Sequence, residues 1–157
     1  MTGPVFGWEE WAALPALGLA GVKAKLDTGA WTGALHALEI ELDLAASPPQ
    51  VRFVVHPWAE RPDAAVRCAA ELADRRAITS SDGRRELRPV IRTLVTLGGL
   101  QREVELSLTD RAAMTYRLLL GRRAIGAFGA LVDVSRRGLG PVQEPAVEGV
   151  PASGGLG

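Results

Sequence analysis

The chain contains few of the residues that build disulfide-rich or cation-rich proteins. Its 157 residues include one cysteine, Cys68, and lysine only at positions 23 and 25. Because one cysteine cannot form an internal disulfide, we expect a reducing compartment and predict a cytoplasmic protein. No segment approaches the roughly 20 apolar residues of a membrane span. The N-terminal residues lack the basic and apolar regions of a signal peptide, so we expect no membrane partner.

The charges are balanced, with 18 basic and 18 acidic residues and a formal net charge of zero. This balance argues against a general nucleic-acid-binding protein, which carries a strong basic excess. Hydrophobic residues make up 47% of the chain, which is enough for a folded core. We therefore predict one domain over residues 1–137, followed by a flexible tail over 138–157 that is rich in Gly, Pro and Ala.

Apolar and polar residues alternate through much of the chain, which is typical of half-buried strands. Val22, Ala24 and Leu26 share one face, while Lys23 and Lys25 share the other. The pattern predicts strands over 22–26, 38–44, 51–56, 88–97, 100–108, 117–120 and 130–134. Gly98-Gly99 predicts a hairpin turn, and residues 121–126 predict one short helix. Residues 66–76 are compatible with a helix or a strand. Many short strands favour a mostly-β protein with a closed or folded barrel.

Few residues are available to bind a metal or a nucleotide. His36 and His56 are the only imidazoles, and Cys68 is the only thiol. The H-E-x-x-H motif of zinc peptidases is absent, as is the phosphate-binding motif G-x-x-x-x-G-K-[ST]. A catalytic zinc needs about three protein ligands, so a site made of His36, His56 and an acid stays open. We predict no metal and no cofactor.

One acid stands directly after an apolar strand, in the triplet Asp27-Thr28-Gly29. Burying such an acid is costly because desolvation disfavours the charged carboxylate. Asp27 is therefore either a turn or capping residue, which this triplet favours, or a residue that performs chemistry. Far downstream, three leucines run into Gly121-Arg122.

This pair of motifs resembles the retropepsin-like aspartic peptidases. Three ordered blocks within residues 5–134 are similar to a bacterial branch often labelled ATP-dependent zinc protease and encoded beside ribosomal-protein glutamate ligases. The blocks read GWEEWAALPALGLAGVKAKLDTGAWTGALHA, SSDGRRELRPVI and LTDRAAMTYRLLLGRRAI. Two positions depart from the branch, since Trp31 and Gly33 stand where it has Arg and Ser. If that Arg binds substrate, specificity is altered or weakened here.

The resemblance implies a homodimer in which each subunit supplies one Asp27, because the chain has a single Asp-Thr-Gly. Two carboxylates held close together share a proton, so that one activates water while the other donates to the scissile carbonyl. In this reading Thr28 bonds across the twofold axis, and Gly29 permits a tight turn. Gly121 permits close packing behind the loop, and Arg122 is a structural support.

The resemblance also implies a flap, here assigned to residues 78–92 with Ser81-Asp82-Gly83 at its tip. If the segment is extended, Arg84, Glu86 and Arg88 share a face with Val90 and Arg92. Guanidinium groups bind carboxylates in a bidentate manner, so such a face favours an acidic peptide or protein substrate. An ordinary solvated strand face with a Glu-Arg pair is the alternative. The predicted substrate-binding residues are Ala30, Trp31, His36, Ser81, Arg84, Glu86 and Arg88, although His36 equally suits a hydrogen-bonded structural role.

The expected function is therefore an aspartic peptidase that trims glutamate-rich tails of ribosomal or other proteins. Two alternatives stay open. A retropepsin-like fold without catalysis could bind acidic tails or partner proteins, which the departures at Trp31 and Gly33 allow. A metal-dependent peptidase is the other alternative.

Overall fold

The computed structural model describes residues 3–58, 61, 63–79, 82–110 and 116–138. These residues form eleven strands, one α-helix and one turn of 3-10 helix at Pro15–Leu17. The elements are β1 (Val5–Gly7), β2 (Glu9–Leu14), β3 (Leu19–Leu26), β4 (Gly33–His36), β5 (Leu38–Asp43), β6 (Gln50–Val55), β7 (Val66–Thr79), β8 (Arg85–Leu97), β9 (Leu100–Thr109), β10 (Leu118–Leu120), α1 (Arg122–Ala127) and β11 (Leu131–Asp133).

Six of the strands close into a barrel in the order β2-β3-β10-β4-β9-β8. The last strand, β8, pairs back with β2 through Ala12 opposite Leu97 and Ala13 opposite Thr96. Closure leaves no free edge between these strands, so their backbone groups find partners within the barrel. The predicted class, a mostly-β protein with a closed barrel and one short helix, is confirmed.

The barrel is filled by aliphatic side chains from every wall strand. On β3 the alternation predicted from the sequence is observed, with Val22, Ala24 and Leu26 buried and Lys23 exposed. The largest fully buried side chains include Leu14, Leu19, Leu35, Ile91, Leu97, Leu106, Leu108, Leu118 and Leu120. Burying an aliphatic side chain of this size contributes about 1.5–3 kcal/mol to stability.

Beyond the barrel, β8 continues as one arm of a long hairpin with β7, and the sheet extends through β6 to β5. The undecided segment 66–76 is thus a strand. It pairs on one side with β6 and on the other with β8, and these two ladders override the helical preference of its alanines. The predicted strand over 38–44 ends at Asp43, and Leu44 is exposed.

The short strand β10 brings distant parts of the chain together. It runs parallel to β3 and antiparallel to β4, so the C-terminal ends of β3 and β10 lie side by side. The helix α1 begins directly after β10, and β11 then pairs with β1 in a separate two-stranded sheet. The loop after β3 and the start of α1 therefore meet at one place on the barrel.

Within the described ranges, none of the helical segments has the length and apolar character needed to cross a bilayer. The predicted tail lies outside the described residues from position 139 onward.

Candidate active site

Asp27 stands at the end of β3, in a loop whose backbone is fixed by hydrogen bonds. Its N–H donates to Leu120 O at 2.8 Å, which extends the β3–β10 pairing by one residue, and Ala30 N–H donates to Asp27 O at 3.2 Å. The carboxylate Oδ1 accepts the N–H of Gly29 at 2.8 Å. Asp27 is half-buried. Its carboxylate is therefore held in one orientation at the barrel surface.

Gly121 packs against the back of this loop. A Cβ at position 121 would lie 2.7 Å from Thr32 O and 2.8 Å from Ala30 O. Both atoms belong to the backbone, so they cannot move aside as a flexible side chain would. The close approach is what a supporting role for Gly121 requires.

Arg122 ties α1 to the same loop at three points. Its N–H donates to Ala30 O at 2.8 Å, and its Nη1 donates to Thr28 O at 3.1 Å. Its guanidinium also lies over the Trp31 ring, 5.4 Å from the centroid. Arg122 thus contacts the loop through its backbone N–H, through a hydrogen bond from its guanidinium, and through the stacking of that guanidinium on Trp31. It holds the Asp27 loop and does not contact the Asp27 carboxylate in any recorded hydrogen bond among the described residues.

Trp31 stands two residues from Gly29 and is 60% exposed. Thr28 and Gly29 are exposed as well. An exposed indole and an exposed Thr-Gly pair beside a fixed carboxylate form a surface that a second protein chain could cover.

A cleft of about 750 Å³ opens beside the loop. One wall comes from residues 30–34, and the facing wall comes from the β7–β8 hairpin through Ile78, Thr79 and Arg88. Of the predicted site residues, the structure brings Ala30, Trp31 and Arg88 together here. The other lining residues are Trp8, Lys25, Thr32, Gly33, Ala34, Ser107, Thr109, Tyr116 and Leu119.

Arg88 points inward from the hairpin and is buried, with 6% of its surface exposed. Its Nε donates to Glu86 Oε1 in a short ion pair. Glu86 also lies near Thr109, whose Oγ1 is 3.5 Å from the same carboxylate oxygen. Glu86 and Arg88 therefore lie on the same face of β8, while a substrate-binding role for either residue stays a prediction.

Of the other predicted substrate-binding residues in this segment, Arg84 lies nearer the hairpin tip than Arg88. Arg84 is exposed at the start of β8, where its N–H donates to Asp82 Oδ1 at 3.1 Å. Ser81 lies outside the described residues. The strands β7 and β8 pair as far as Thr79 opposite Arg85, and a flap role for this segment stays a prediction.

His36 is buried at the end of β4 and does not line the cleft. Its Nδ1 lies 3.2 Å from Thr109 O. Burial, followed by the nearby Arg117 charge, lowers the pKa of this imidazole. A neutral, hydrogen-bonded ring in the protein interior suits the structural role that the sequence left open.

Three arginines surround Glu105 on the outer side of β9, next to the cleft. Glu105 accepts from Arg76 at 2.9 Å, from Arg92 at 3.1 Å and from Arg123 at 3.5 Å. The hydrogen bond from Arg76, together with the neighbouring cations, lowers the pKa of Glu105. This cluster borders a second pocket of about 280 Å³. Arg92 is therefore engaged in an ion-pair network.

Two aromatic residues of the cleft were not predicted from the sequence. Trp8 and Tyr116 pack edge to face at 6.2 Å, and Tyr116 Oη donates to Glu9 Oε2 at 2.7 Å. Burial and this hydrogen bond raise the pKa of Tyr116 to about 12, so the phenol stays a neutral donor. No sequence signal could have found them, because 107 residues separate Tyr116 from Glu9.

The donor set for a metal is missing from the described part of the chain. No group of three or more His, Cys, Asp or Glu side chains is placed there to hold an ion. Cys68 is a buried free thiol, and burial raises its pKa to about 11, which disfavours the thiolate that binds metal. The described residues therefore do not fit the zinc that the resemblance's label implies.

A closed barrel with a braced Asp-Thr-Gly loop beside a cleft defines the retropepsin-like class of aspartic peptidase folds. The chain belongs to the RimB-like family, since the model of the retropepsin-like aspartic endopeptidase RimB matches residues 5–142. The resemblance drawn from the sequence motifs is confirmed.

Curated relatives carry a different name. A protein of Shewanella pealeana named probable alpha-L-glutamate ligase is 45% identical over 131 residues, which are 83% of this chain and 28% of that protein. A protein of Desulfotalea psychrophila with the same name is 40% identical over 121 residues, which are 77% of this chain and 26% of that protein. The chain thus spans about a quarter of the length of the curated relatives it matches.

A solved structure supports the fold independently. The crystal structure of Lpg0085, a Legionella pneumophila protein of unknown function, matches with a TM-score of 0.73 at 30% sequence identity. The match covers 88% of this chain and 98% of that one.

Proposed function

We propose that the protein is an aspartic peptidase that works as a homodimer, with one Asp27 from each subunit in a shared active site. The observation that carries the proposal is the fixed Asp27 carboxylate, held by Gly29 N–H and braced from behind by Gly121 and Arg122. A lone carboxylate lacks the acid–base partner that peptide hydrolysis needs. A twofold axis beside the exposed Thr28-Gly29 pair would supply that partner.

The chemistry follows from two carboxylates that share one proton. The ionised carboxylate takes a proton from water as the oxygen attacks the scissile carbonyl carbon. The neutral carboxyl donates its proton to the carbonyl oxygen. When the tetrahedral intermediate collapses, the C–N bond breaks, the protonated carboxyl gives its proton to the leaving amine, and the ionised carboxylate takes a proton from a hydroxyl of the intermediate, which restores the dyad.

Glutamate-containing tails are the proposed substrate. The curated relatives are named for glutamate ligation, and they contain the matched segment as about a quarter of their length. We propose that the segment removes glutamate from the kind of tail that a ligase extends. A cleft that carries Arg88 and Lys25 suits an acidic peptide. The free thiol Cys68 is compatible with the reducing cytoplasm that we propose for the protein.

A binding module without catalysis is the second candidate. Trp31 and Gly33 replace residues of the related branch, and both line the cleft, with the Trp31 side chain exposed. This candidate predicts that acidic tails bind without being cleaved.

The deciding experiment compares wild type with Asp27→Asn on a peptide that ends in several glutamates. Because each subunit supplies one Asp27, the variant loses both carboxylates of the dyad, and the cleavage rate should fall by about a hundredfold or more, since acid–base catalysis contributes on that order. Asp43→Asn is the matched control, because Asp43 Oδ1 also accepts a local N–H, that of Ala46 at 3.2 Å. Cleavage by Asp27→Asn at the wild-type rate would overturn the proposal, and tight binding without cleavage by wild type would favour the binding module.

A further inference from the structure

Arg88 occupies a position that the fold alone does not explain. Its side chain is only 7% exposed, and burying a guanidinium is costly unless anions and hydrogen bonds compensate. Directly opposite on β7 stands Arg76, a like charge that destabilises the pair. Arg76 has Asp74 and Glu105 as partners, whereas Arg88 has Glu86 alone among the recorded ion pairs of the described residues.

The guanidinium of Arg88 is only partly used. Glu86 contacts its Nε, while its Nη2 is buried and has no hydrogen-bond partner in the part of the chain that the structure describes. An arginine presents five N–H donors in a planar fork that matches a carboxylate with two parallel bonds. The open side of this fork is therefore suited to a second oxygen-rich group.

The position of Glu86 allows its carboxylate to move away from the Arg88 guanidinium. It stands further toward the hairpin tip than Arg88, and its side chain is 41% exposed. Its second contact is a long one, to Thr109 Oγ1 at 3.5 Å. A carboxylate that is partly solvated and held at one point can move into water at modest cost.

The surroundings of Arg88 favour an anion from outside. Among the described residues that line the cleft, Arg88 and Lys25 are cationic and none is acidic. Thr79 and Thr109 add hydroxyl groups near the same wall. The facing wall begins at Ala30, three residues after Asp27, so a peptide lying in the cleft would pass from Arg88 toward the catalytic loop.

We propose that Arg88 determines specificity by binding one carboxylate of the substrate, and that Glu86 occupies that place in the free protein. The inference rests on the proposed peptidase function and deepens it. It assigns a substrate subsite to Arg88. It also proposes that the carboxylate of Glu86 and a carboxylate of the substrate compete for the Arg88 guanidinium. The external carboxylate is either a glutamate side chain or the C-terminal carboxylate of the peptide, which share the same recognition chemistry.

Binding is measured in Asp27→Asn protein, where cleavage is suppressed. Three peptides serve as probes: tetraglutamate, tetraglutamine and tetraglutamate with an amidated C-terminus. Arg88→Met in this background should weaken tetraglutamate binding by about tenfold to a hundredfold, as expected for a lost charge-assisted contact, and should abolish the preference over tetraglutamine. Arg102→Met is the control, because exposed Arg102 donates to Gln101 O and lies outside the cleft. An unchanged preference in Arg88→Met would overturn the inference.

Glu86→Gln keeps the experiment decisive if Arg88→Met does not fold. Removing the charge of the internal competitor should tighten tetraglutamate binding severalfold, because the fork of Arg88 is then released at lower cost. Weaker or unchanged binding by Glu86→Gln would contradict the competition. Equal loss for the amidated and free peptides assigns the subsite to a side chain, whereas loss confined to the free peptide assigns it to the C-terminus.

The two proposals fail separately. If Asp27→Asn cleaves like wild type while Arg88 still governs glutamate binding, the dyad is wrong and the subsite stands. If Asp27→Asn is inactive while Arg88→Met keeps its preference for glutamate, the dyad stands and the subsite is wrong.

Discussion

Gly121 shows how one residue can determine the position of a proposed catalytic group, the Asp27 carboxylate, without contacting it. Its Cα lies so close to the carbonyls of Ala30 and Thr32 that a methyl group would overlap both. Those carbonyls belong to the loop that begins at Asp27. Any residue larger than glycine must therefore push the loop away from α1.

Gly121→Ala should destabilise the protein by about 1–3 kcal/mol, the usual cost of overpacking a tight contact. Gly126→Ala, within the helix α1 that follows Gly121, is a matched control because a Cβ there meets nothing within 4 Å. Alanine is the better helix former, so this variant should gain up to about 1 kcal/mol. Urea unfolding measures both changes. Equal stability of the two variants would show that the contact at position 121 is not tight.

At this scale the sequence located some site residues and could not locate others. Asp27 was recognisable as a candidate because an acid stands directly after an apolar strand, and Gly121 because its motif resembles that of the retropepsin-like family. Arg88 was recognised by its alternation with Glu86. Trp8 and Tyr116 were not, since their place in the cleft depends on strands that are far apart in the chain.

Among the elements, the β8–β9 hairpin is the one that local sequence determines most completely. Its two-residue turn consists of Gly98 and Gly99, with φ of +58° and +80°. Positive φ at both central residues is typical of a type I′ turn, which matches the twist of the flanking strands. The prediction of a hairpin at these glycines is confirmed, and the observed strands, Arg85–Leu97 and Leu100–Thr109, exceed the predicted ones.

The two glycines should differ in their tolerance of alanine. Gly99→Ala should cost about 1 kcal/mol, because only the left-handed backbone opposes it. Gly98→Ala should cost about 1–3 kcal/mol more, since its Cβ would lie 2.6 Å from Cε1 of the buried Phe6. Chemical denaturation of both variants gives the difference directly. A larger loss for Gly99→Ala would contradict the close contact with Phe6.

Other elements could not be read from local sequence. The segment Val66–Thr79 is rich in alanine, and only its pairing with two neighbouring strands makes it a strand. The three-residue strand β10 inserts between β3 and β4. Its partners Ala24 and Leu35 stand more than 80 residues before Leu118, and pairing over such distances leaves no local pattern. The parallel β3–β10 contact, which places Asp27 against Leu120, therefore required the structure.

At the scale of the whole molecule, one chain forms the complete barrel but supplies only half of the proposed active site. All six barrel strands come from one chain, and the ring closes through β2 and β8. The chain nevertheless has one Asp-Thr-Gly, and the loop that carries it is exposed at Thr28 and Gly29. The fold can therefore form in a single chain, whereas the proposed chemistry depends on the concentration of subunits.

Mixed dimers of wild-type and variant chains distinguish an active site that two subunits share from an active site that each subunit forms alone. If wild-type and Asp27→Asn chains are unfolded together in equal amounts and refolded, random pairing yields about a quarter wild-type homodimers. Activity should then fall to about a quarter of that of the same total amount of wild type, because a dimer with one Asp27 has no dyad. Subunits that act alone would retain about half. Refolding with Asp43→Asn instead should preserve full activity, since Asp43 ends β5 and its Oδ1 accepts the N–H of Ala46 in the loop that follows. An outcome of one half would place all of the catalytic groups within one chain and would exclude the twofold site.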